Sequence, residues 1–154
     1  MNRRRFLADL AAAGFILTPL SAALTACGKA TLPEGLVEIK WDRDTCVRCN
    51  MVISDPRFAA QLNGGPRKQS FKFDDIGCVA FWLQKQEWGN DPAVRIWVSD
   101  STDMSGASWL DARQAHYLGG RLSPMGYNFA AVRDAAPQSL TFEAMRAQVL
   151  AKGK

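Results

Sequence analysis

The chain has 154 residues, 47% of them hydrophobic, and a formal charge of +4. This length and composition predict one domain, or two small halves, with a real hydrophobic core, and they exclude a low-complexity chain. Three of the 19 basic and one of the 15 acidic side chains lie in residues 1–26, which leaves a charge near +2 on the remainder. No nucleic-acid partner is therefore predicted.

Residues 1–26 are typical of a bacterial export signal. Arg3 and Arg4 open the pattern Arg-Arg-x-Phe-Leu, which favours the twin-arginine export route. The apolar stretch that follows, residues 10–24, is too short and too interrupted to span a membrane comfortably. This segment is accordingly excluded from the predicted fold.

Leu24-Thr25-Ala26-Cys27 resembles the lipobox of a bacterial lipoprotein. Processing would cut before Cys27 and acylate that residue, and residues 27–35 would form a lipidated tether. Gly28 follows where an aspartate would signal inner-membrane retention. We therefore expect a periplasm-facing protein that is lipid-anchored to a membrane, by this pattern the outer one.

The elements predicted after the tether mix strands and helices. Alternating or β-rich runs bounded by turn residues predict strands at residues 36–41, 58–62, 69–73, 93–98, 109–110 and 129–132. Amphipathic spacing after a capping residue predicts three helices. These are residues 75–88 after Asp74 or Asp75, residues 112–118 after Asp111, and residues 142–151 after Thr141.

A short internal repeat runs through these elements. The run Phe-Ala-Ala occurs at residues 58–60 and again at 129–131, and Gln-Ser-x-x-Phe-Asp/Glu occurs at residues 69–74 and 138–143. In each copy the order is strand, turn, strand or extended segment, helix. We therefore expect an α+β fold of two similar ββα-type halves, residues 36–92 and 93–154, whose sulfur-bearing loops face each other.

Cys46-x-x-Cys49-x-Met51 carries the strongest chemical signal. Soft thiolate and thioether donors select soft metal ions, above all Cu(I). Met125 lies in a Pro-Met-Gly turn, where core packing explains a methionine poorly. The sequence thus predicts a Cu(I) site formed by Cys49, Met51 and Met125, together with Cys46.

Other uses of the same residues remain open. Cys78, in the first turn of a predicted helix, and His116 are candidate additional ligands, and with Cys46 and Cys49 they could close a zinc site. Cys46 and Cys49 could also cycle as a redox dithiol or form a structural disulfide, which is common outside the cytoplasm.

The acidic pair before the first helix, Asp74 and Asp75, is interpreted as helix-capping rather than catalytic. A Ser-His-Asp order, a phosphate loop and a dense carboxylate cluster are all missing from the sequence. We therefore do not predict an enzyme.

In combination, these motifs resemble the NosL family of accessory lipoproteins. The resemblance rests on Cys27, Cys46-x-x-Cys49-x-Met51, Phe73-Asp74-Asp75-Ile76-Gly77-Cys78, Trp109-Leu110-Asp111-Ala112-Arg113-x-Ala115 and Ser123-Pro124-Met125-Gly126. It implies a Cu(I) metallochaperone that delivers copper for the copper–sulfide centre of nitrous oxide reductase, in denitrification. The implied partners are the apo-enzyme or its assembly proteins, and the implied fold is akin to an organomercurial lyase domain.

One position departs from the family pattern. Some members carry a histidine after the Met-Gly turn, where this chain has Tyr127, a poor Cu(I) ligand. The departure predicts a more sulfur-rich ligand set that uses Cys46, or recruitment of His116. The alternative function is a thiol-dependent oxidoreductase or lyase that works through Cys46, Cys49 and Cys78, with Asp75 as the acid of a lyase.

Overall fold

The computed structural model describes residues 32–153. Arg3, Arg4, Cys27 and most of the predicted tether lie outside the described residues. Among the residues that are described, no helix is both long enough and apolar enough to cross a membrane.

Within residues 32–153, two helices and two antiparallel sheets make up the fold, which confirms the α+β class. The elements in chain order are β1 (Ala60–Gly64), β2 (Gln69–Phe73), α1 (Ile76–Leu83), β3 (Arg95–Ser99), β4 (Trp109–Asp111), β5 (His116–Gly119), β6 (Phe129–Val132) and α2 (Phe142–Lys152). One sheet has the strand order β2-β1-β3-β4 and the other pairs β5 with β6.

β1 and β2 form a hairpin in which Leu62 pairs with Phe71. Gly65 supplies the positive φ of its turn, and the Asn63 side chain donates a hydrogen bond across the turn to the carbonyl oxygen of Lys68, at 3.0 Å. β3 lies on the other edge of β1, with Ala60 opposite Val98. The sheet of the first hairpin therefore takes two of its strands from residues beyond 92.

The main core lies between α1, α2 and the sheets. α1 buries six of its eight residues, because it contacts α2 as well as β1 and β2. Its end at Leu83 is earlier than predicted, since the next amides bond three residues back: Lys85 donates to Trp82 and Gln86 to Leu83.

Two predicted elements are wrong. Residues 36–41 are not a strand, because the backbone of Val37 bonds to a side chain instead of a neighbouring strand. The side-chain amide of Gln61 accepts from the Val37 amide at 3.1 Å and donates to the Val37 carbonyl at 2.9 Å. The helix predicted at 112–118 is a single turn after Asp111 followed by β5, because pairing of Tyr117 with Ala131 overrides the local helical pattern.

Candidate metal centre

A small hairpin-like loop presents the first two cysteines. Thr45 and Val52 pair as an antiparallel bridge, and the Cys46 amide donates to the carbonyl oxygen of Met51 at 2.8 Å. Asn50 takes the left-handed conformation, φ 62°, that lets the loop turn back. The result buries the Cys46 side chain and leaves Cys49 partly exposed.

The loop is attached to the end of β2, directly before α1. The amide of Val47 donates to the carbonyl oxygen of Lys72 at 3.0 Å. Asp74 and Asp75 follow β2, and Cys78 is the third residue of α1. This one backbone bond therefore brings the loop to the N-terminal end of the helix.

Three thiols and one carboxylate meet at this junction. The Sγ atoms of Cys46, Cys49 and Cys78 and an oxygen of Asp74 all lie within 4.8 Å of one another. All three cysteines are free thiols. The Cys49 thiol donates to Asp74 Oδ1 at 3.4 Å.

A cation closes one side of the cluster. Nη1 of Arg48 approaches Cys78 Sγ at 3.8 Å. The guanidinium lies 4.7 Å from the ring centre of Phe81 and 5.9 Å from that of Tyr127. Arg48 therefore places a positive charge against the buried side of the sulfur cluster.

The three thiols differ in how readily they ionise. A hydrogen bond from Cys78 lowers the pKa of Cys46 to about 6, against the opposing effect of burial. The pKa of Cys78 rises because it donates that bond and because it is buried. Burial, with the nearby charges of Cys46 and Asp74, raises the pKa of Cys49 to about 12. A metal ion that binds Cys49 and Cys78 as thiolates therefore competes with protons for them.

The remaining predicted ligands, Met51, Met125 and His116, lie in different environments. Met51 lies at the end of the loop with 46% of its surface exposed. Met125 is partly buried and packs against the same core cluster as Cys49. His116 lies on β5, opposite Val132, rather than on a helix, and it is outside the cysteine group.

Asp74 is the member of the group that the sequence does not predict as a ligand, since the Asp-Asp pair indicates helix capping. Capping belongs to Asp75 alone, whose Oδ1 accepts from the Gly77 amide at 2.9 Å. A helix has a single N-cap position, so one residue of an Asp-Asp pair is free for another role. The presence of two aspartates at a helix start with one N-cap position is the sequence feature that could have indicated this second role.

Tyr127 has a packing role here. Its side chain is fully buried, and a Cβ added at Gly77 would lie 2.1 Å from its ring. The glycine thus allows the ring to lie directly on the first turn of α1.

The donor set fits a thiophilic ion. Three thiolates favour Cu(I), and a partly exposed donor, Cys49, gives the ion a route in and out. Three cysteines with one carboxylate also meet the ligand count of a closed zinc site.

No family model matches the sequence, and no curated protein matches it. Among solved structures, the copper chaperone NosL from Shewanella denitrificans has a similar fold. Its TM-score is 0.57 at 18% sequence identity, and the match covers 75% of this chain and 89% of that chain. The likeness confirms, at the level of the fold, the resemblance that the sequence motifs indicate.

Proposed function

We propose that this protein is a Cu(I)-binding metallochaperone and not an enzyme. The observation that carries the proposal is the meeting of three free thiols and a carboxylate within 4.8 Å. Copper is the cargo in this proposal, so the site must hold the ion firmly and also release it.

The thiols divide these two tasks. Cys46 and Cys78 are fully buried and would hold the ion, while the partly exposed Cys49 is accessible to an incoming ligand. Cu(I) is stable with two or three soft donors, so a partner's donor can replace the ligands one at a time. Met51, exposed on the same loop, and Met125 would complete the ligand set as neutral thioether donors.

The cellular setting is part of the proposal. We infer a lipoprotein anchored through Cys27, exported through a signal containing Arg3 and Arg4, and facing the periplasm. Its partner would be apo nitrous oxide reductase or an assembly protein of that enzyme, which would receive copper for the copper–sulfide centre. A likeness of the fold to an organomercurial lyase domain stays a prediction.

One alternative function has a specific observation behind it. Cys46 has a lowered pKa and lies beside two further thiols, as thiol–disulfide exchange or a thiol-dependent lyase requires. The same side chain is fully buried, which obstructs attack on a substrate. Turnover of a disulfide or an organomercurial by the metal-free protein would favour this alternative.

Competition for Cu(I) tests the proposal. The reduced protein is titrated under anaerobic conditions with Cu(I) held by a colourimetric chelator, in parallel with a Zn(II) titration. We expect tight binding of Cu(I), weakened in Cys49→Ser, and weaker retention of zinc. Failure to take Cu(I) from a weak chelator would overturn the metallochaperone proposal, and strong zinc binding alone would reassign the site.

The proposed client is tested separately in cells. Deletion of this gene should yield nitrous oxide reductase with a depleted catalytic copper centre in copper-limited medium. A fully loaded enzyme under that condition would contradict this client while leaving the copper site itself intact.

A further inference from the structure

Asp75 makes more contacts than a helix cap requires. Its carboxylate is fully buried. Oδ1 accepts from the Gly77 amide at 2.9 Å, which is the capping bond. Oδ2 accepts from the Ser123 hydroxyl at 2.6 Å and from the Met125 amide at 3.4 Å. One side chain therefore joins the start of α1 to a turn about fifty residues further along the chain.

The second oxygen is what distinguishes this residue from an ordinary cap. A serine, threonine or asparagine caps a helix with a single oxygen, as Thr141 does for α2. Asp75 caps with one oxygen and holds the turn with the other. Burial of a carboxylate opposes folding unless its oxygens are hydrogen-bonded, so the contacts to the turn offset part of that cost.

The turn it holds, residues 123–126, is well defined internally. The Ser123 hydroxyl accepts from the Asn128 amide at 2.9 Å, and Asn128 Oδ1 accepts from the Ser123 amide at 3.3 Å. The Gly126 amide donates to the Ser123 carbonyl at 2.9 Å. Gly126 and Asn128 both take left-handed φ values. A turn fixed in this way moves as a unit when its attachment moves.

The same turn packs against the start of α1 and the main core. Met125 packs against the main core, to which Cys46 and Cys78 also belong. Tyr127, just after the turn, lies against Gly77 on one side and near Arg48 on the other. Asp75 thus attaches the turn at the point where the cysteine loop and α1 already meet.

We propose that Asp75 is a positioning residue, which holds the Met125 turn against the cysteine cluster and so places the Met125 thioether for Cu(I). The proposal rests on the copper function proposed above. A thioether is a neutral, weak donor, so it contributes to affinity only where it is held in place before the ion arrives. The turn from the second half of the chain supplies the donor, and the helix cap of the first half places it.

A double-mutant cycle tests this role. Cu(I) affinity is measured by chelator competition for the protein, Asp75→Asn, Met125→Ala and the double variant. We expect Asp75→Asn to lower affinity about tenfold when Met125 is present and by less than about twofold when it is absent. Ser123→Ala removes the hydroxyl that donates to Asp75 and accepts from the Asn128 amide, but it keeps the capping bond of Asp75. It should therefore give a smaller loss of the same kind. Thr141→Ala, at the cap of α2, is the matched control and should leave affinity unchanged.

Methionine methyl NMR gives a readout that a purely structural role would not move. Cu(I) should shift the Met125 methyl resonance of the unaltered protein, and Asp75→Asn should reduce that shift while the Met51 shift persists. Equal affinity losses in both Met125 backgrounds, or an unchanged Met125 shift in Asp75→Asn, would overturn the inference. An unaltered protein that takes up no Cu(I) would instead overturn the proposed function itself.

Discussion

The N-terminal ends of the two helices have similar sequences but different structural roles. Gln-Ser-x-x-Phe followed by an acidic residue precedes or enters each helix. In the first copy Phe73 ends β2, and Asp74 is buried and accepts the Cys49 thiol. In the second copy Phe142 is already the first residue of α2, and the Glu143 side chain is 73% exposed.

The difference lies in where each helix begins. α2 starts at the phenylalanine, and its acidic residue lies in the first turn, where the negative charge interacts favourably with the helix dipole. α1 starts three residues after its phenylalanine, which leaves two aspartates in the intervening buried segment. One acts as the cap and one faces the thiols. A shift of a few residues in a helix start therefore converts a solvent-exposed acid into part of a candidate metal centre.

The largest effect should follow from crowding the first turn of α1. Gly77→Ala places a Cβ 2.1 Å from the Tyr127 ring, so overpacking should lower the free energy of unfolding by about 3 kcal/mol. At Gly119, outside the helices, an added Cβ has its nearest neighbour at 3.6 Å, so Gly119→Ala should change it by less than about 0.5 kcal/mol. Denaturant unfolding measures both, and equal values would show that the ring is not held against α1.

Removal of the cap of α1 should lower the free energy of unfolding more than removal of the cap of α2. Asp75→Ala strips the acceptor from three donors, two of them in the Met125 turn, and should cost about 2 to 3 kcal/mol. Thr141→Ala removes one capping bond, to the Ala144 amide, and should cost about 1 kcal/mol. Chemical denaturation of both variants checks the ratio. Similar losses would reduce Asp75 to an ordinary cap.

Substitution of the third residue of each helix should affect Cu(I) binding only in α1, where that residue is a candidate ligand. Cys78→Ser replaces a soft donor in the cluster with a hard one and should weaken Cu(I) binding at least about tenfold, or about 1.4 kcal/mol. Ala144→Ser makes the equivalent change in α2, where the residue is exposed, and should leave binding unchanged. Chelator competition measures both. Unaltered affinity in Cys78→Ser would remove Cys78 from the ligand set.

The smallest effect concerns the acidic residues themselves. The negative charge of Asp74 helps to raise the pKa of Cys49, although burial is the larger cause. Asp74→Asn should lower that pKa, increase the thiolate fraction at pH 7, and speed alkylation of Cys49 severalfold in the metal-free protein. Glu143→Gln should leave the rate unchanged. Mass spectrometry follows the modification, and a slower reaction in Asp74→Asn would mean that the thiol–carboxylate contact acts in another way.

Local signals predicted most of the elements. The β1–β2 hairpin, β6 and α2 with its Thr141 cap follow from turn residues, apolar patterning and a capping oxygen, all of which act over a few residues. The predictions of a strand at residues 36–41 and of a helix at residues 112–118 are wrong because the backbones of these segments pair with distant groups. These groups are the Gln61 side chain and β6. Such partners leave no mark in the segment's own sequence.

Part of the candidate site was predictable from local sequence. Cys46 and Cys49 lie three residues apart, and their thiols together with the Met51 thioether indicated a soft-metal site, with zinc binding and redox chemistry as alternatives. The proximity of Asp74 depends on contacts between the cysteine loop and β2, among them the backbone bond from Val47 to Lys72 and the ion pair of Lys72 with Asp44. These partners are distant in sequence, so the cysteine spacing does not reveal them. The exposure of Met51 and the packing of Met125 likewise follow from tertiary structure.

X-ray absorption at the copper edge of the Cu(I)-loaded protein tests the central claim most directly, because it counts the sulfur neighbours of the ion. We expect coordination dominated by sulfur, with fewer sulfur neighbours in Cys78→Ser and no change in Ala144→Ser. Coordination dominated by nitrogen or oxygen, or a Cys78→Ser spectrum identical to that of the unaltered protein, would contradict a copper site built on the three cysteines.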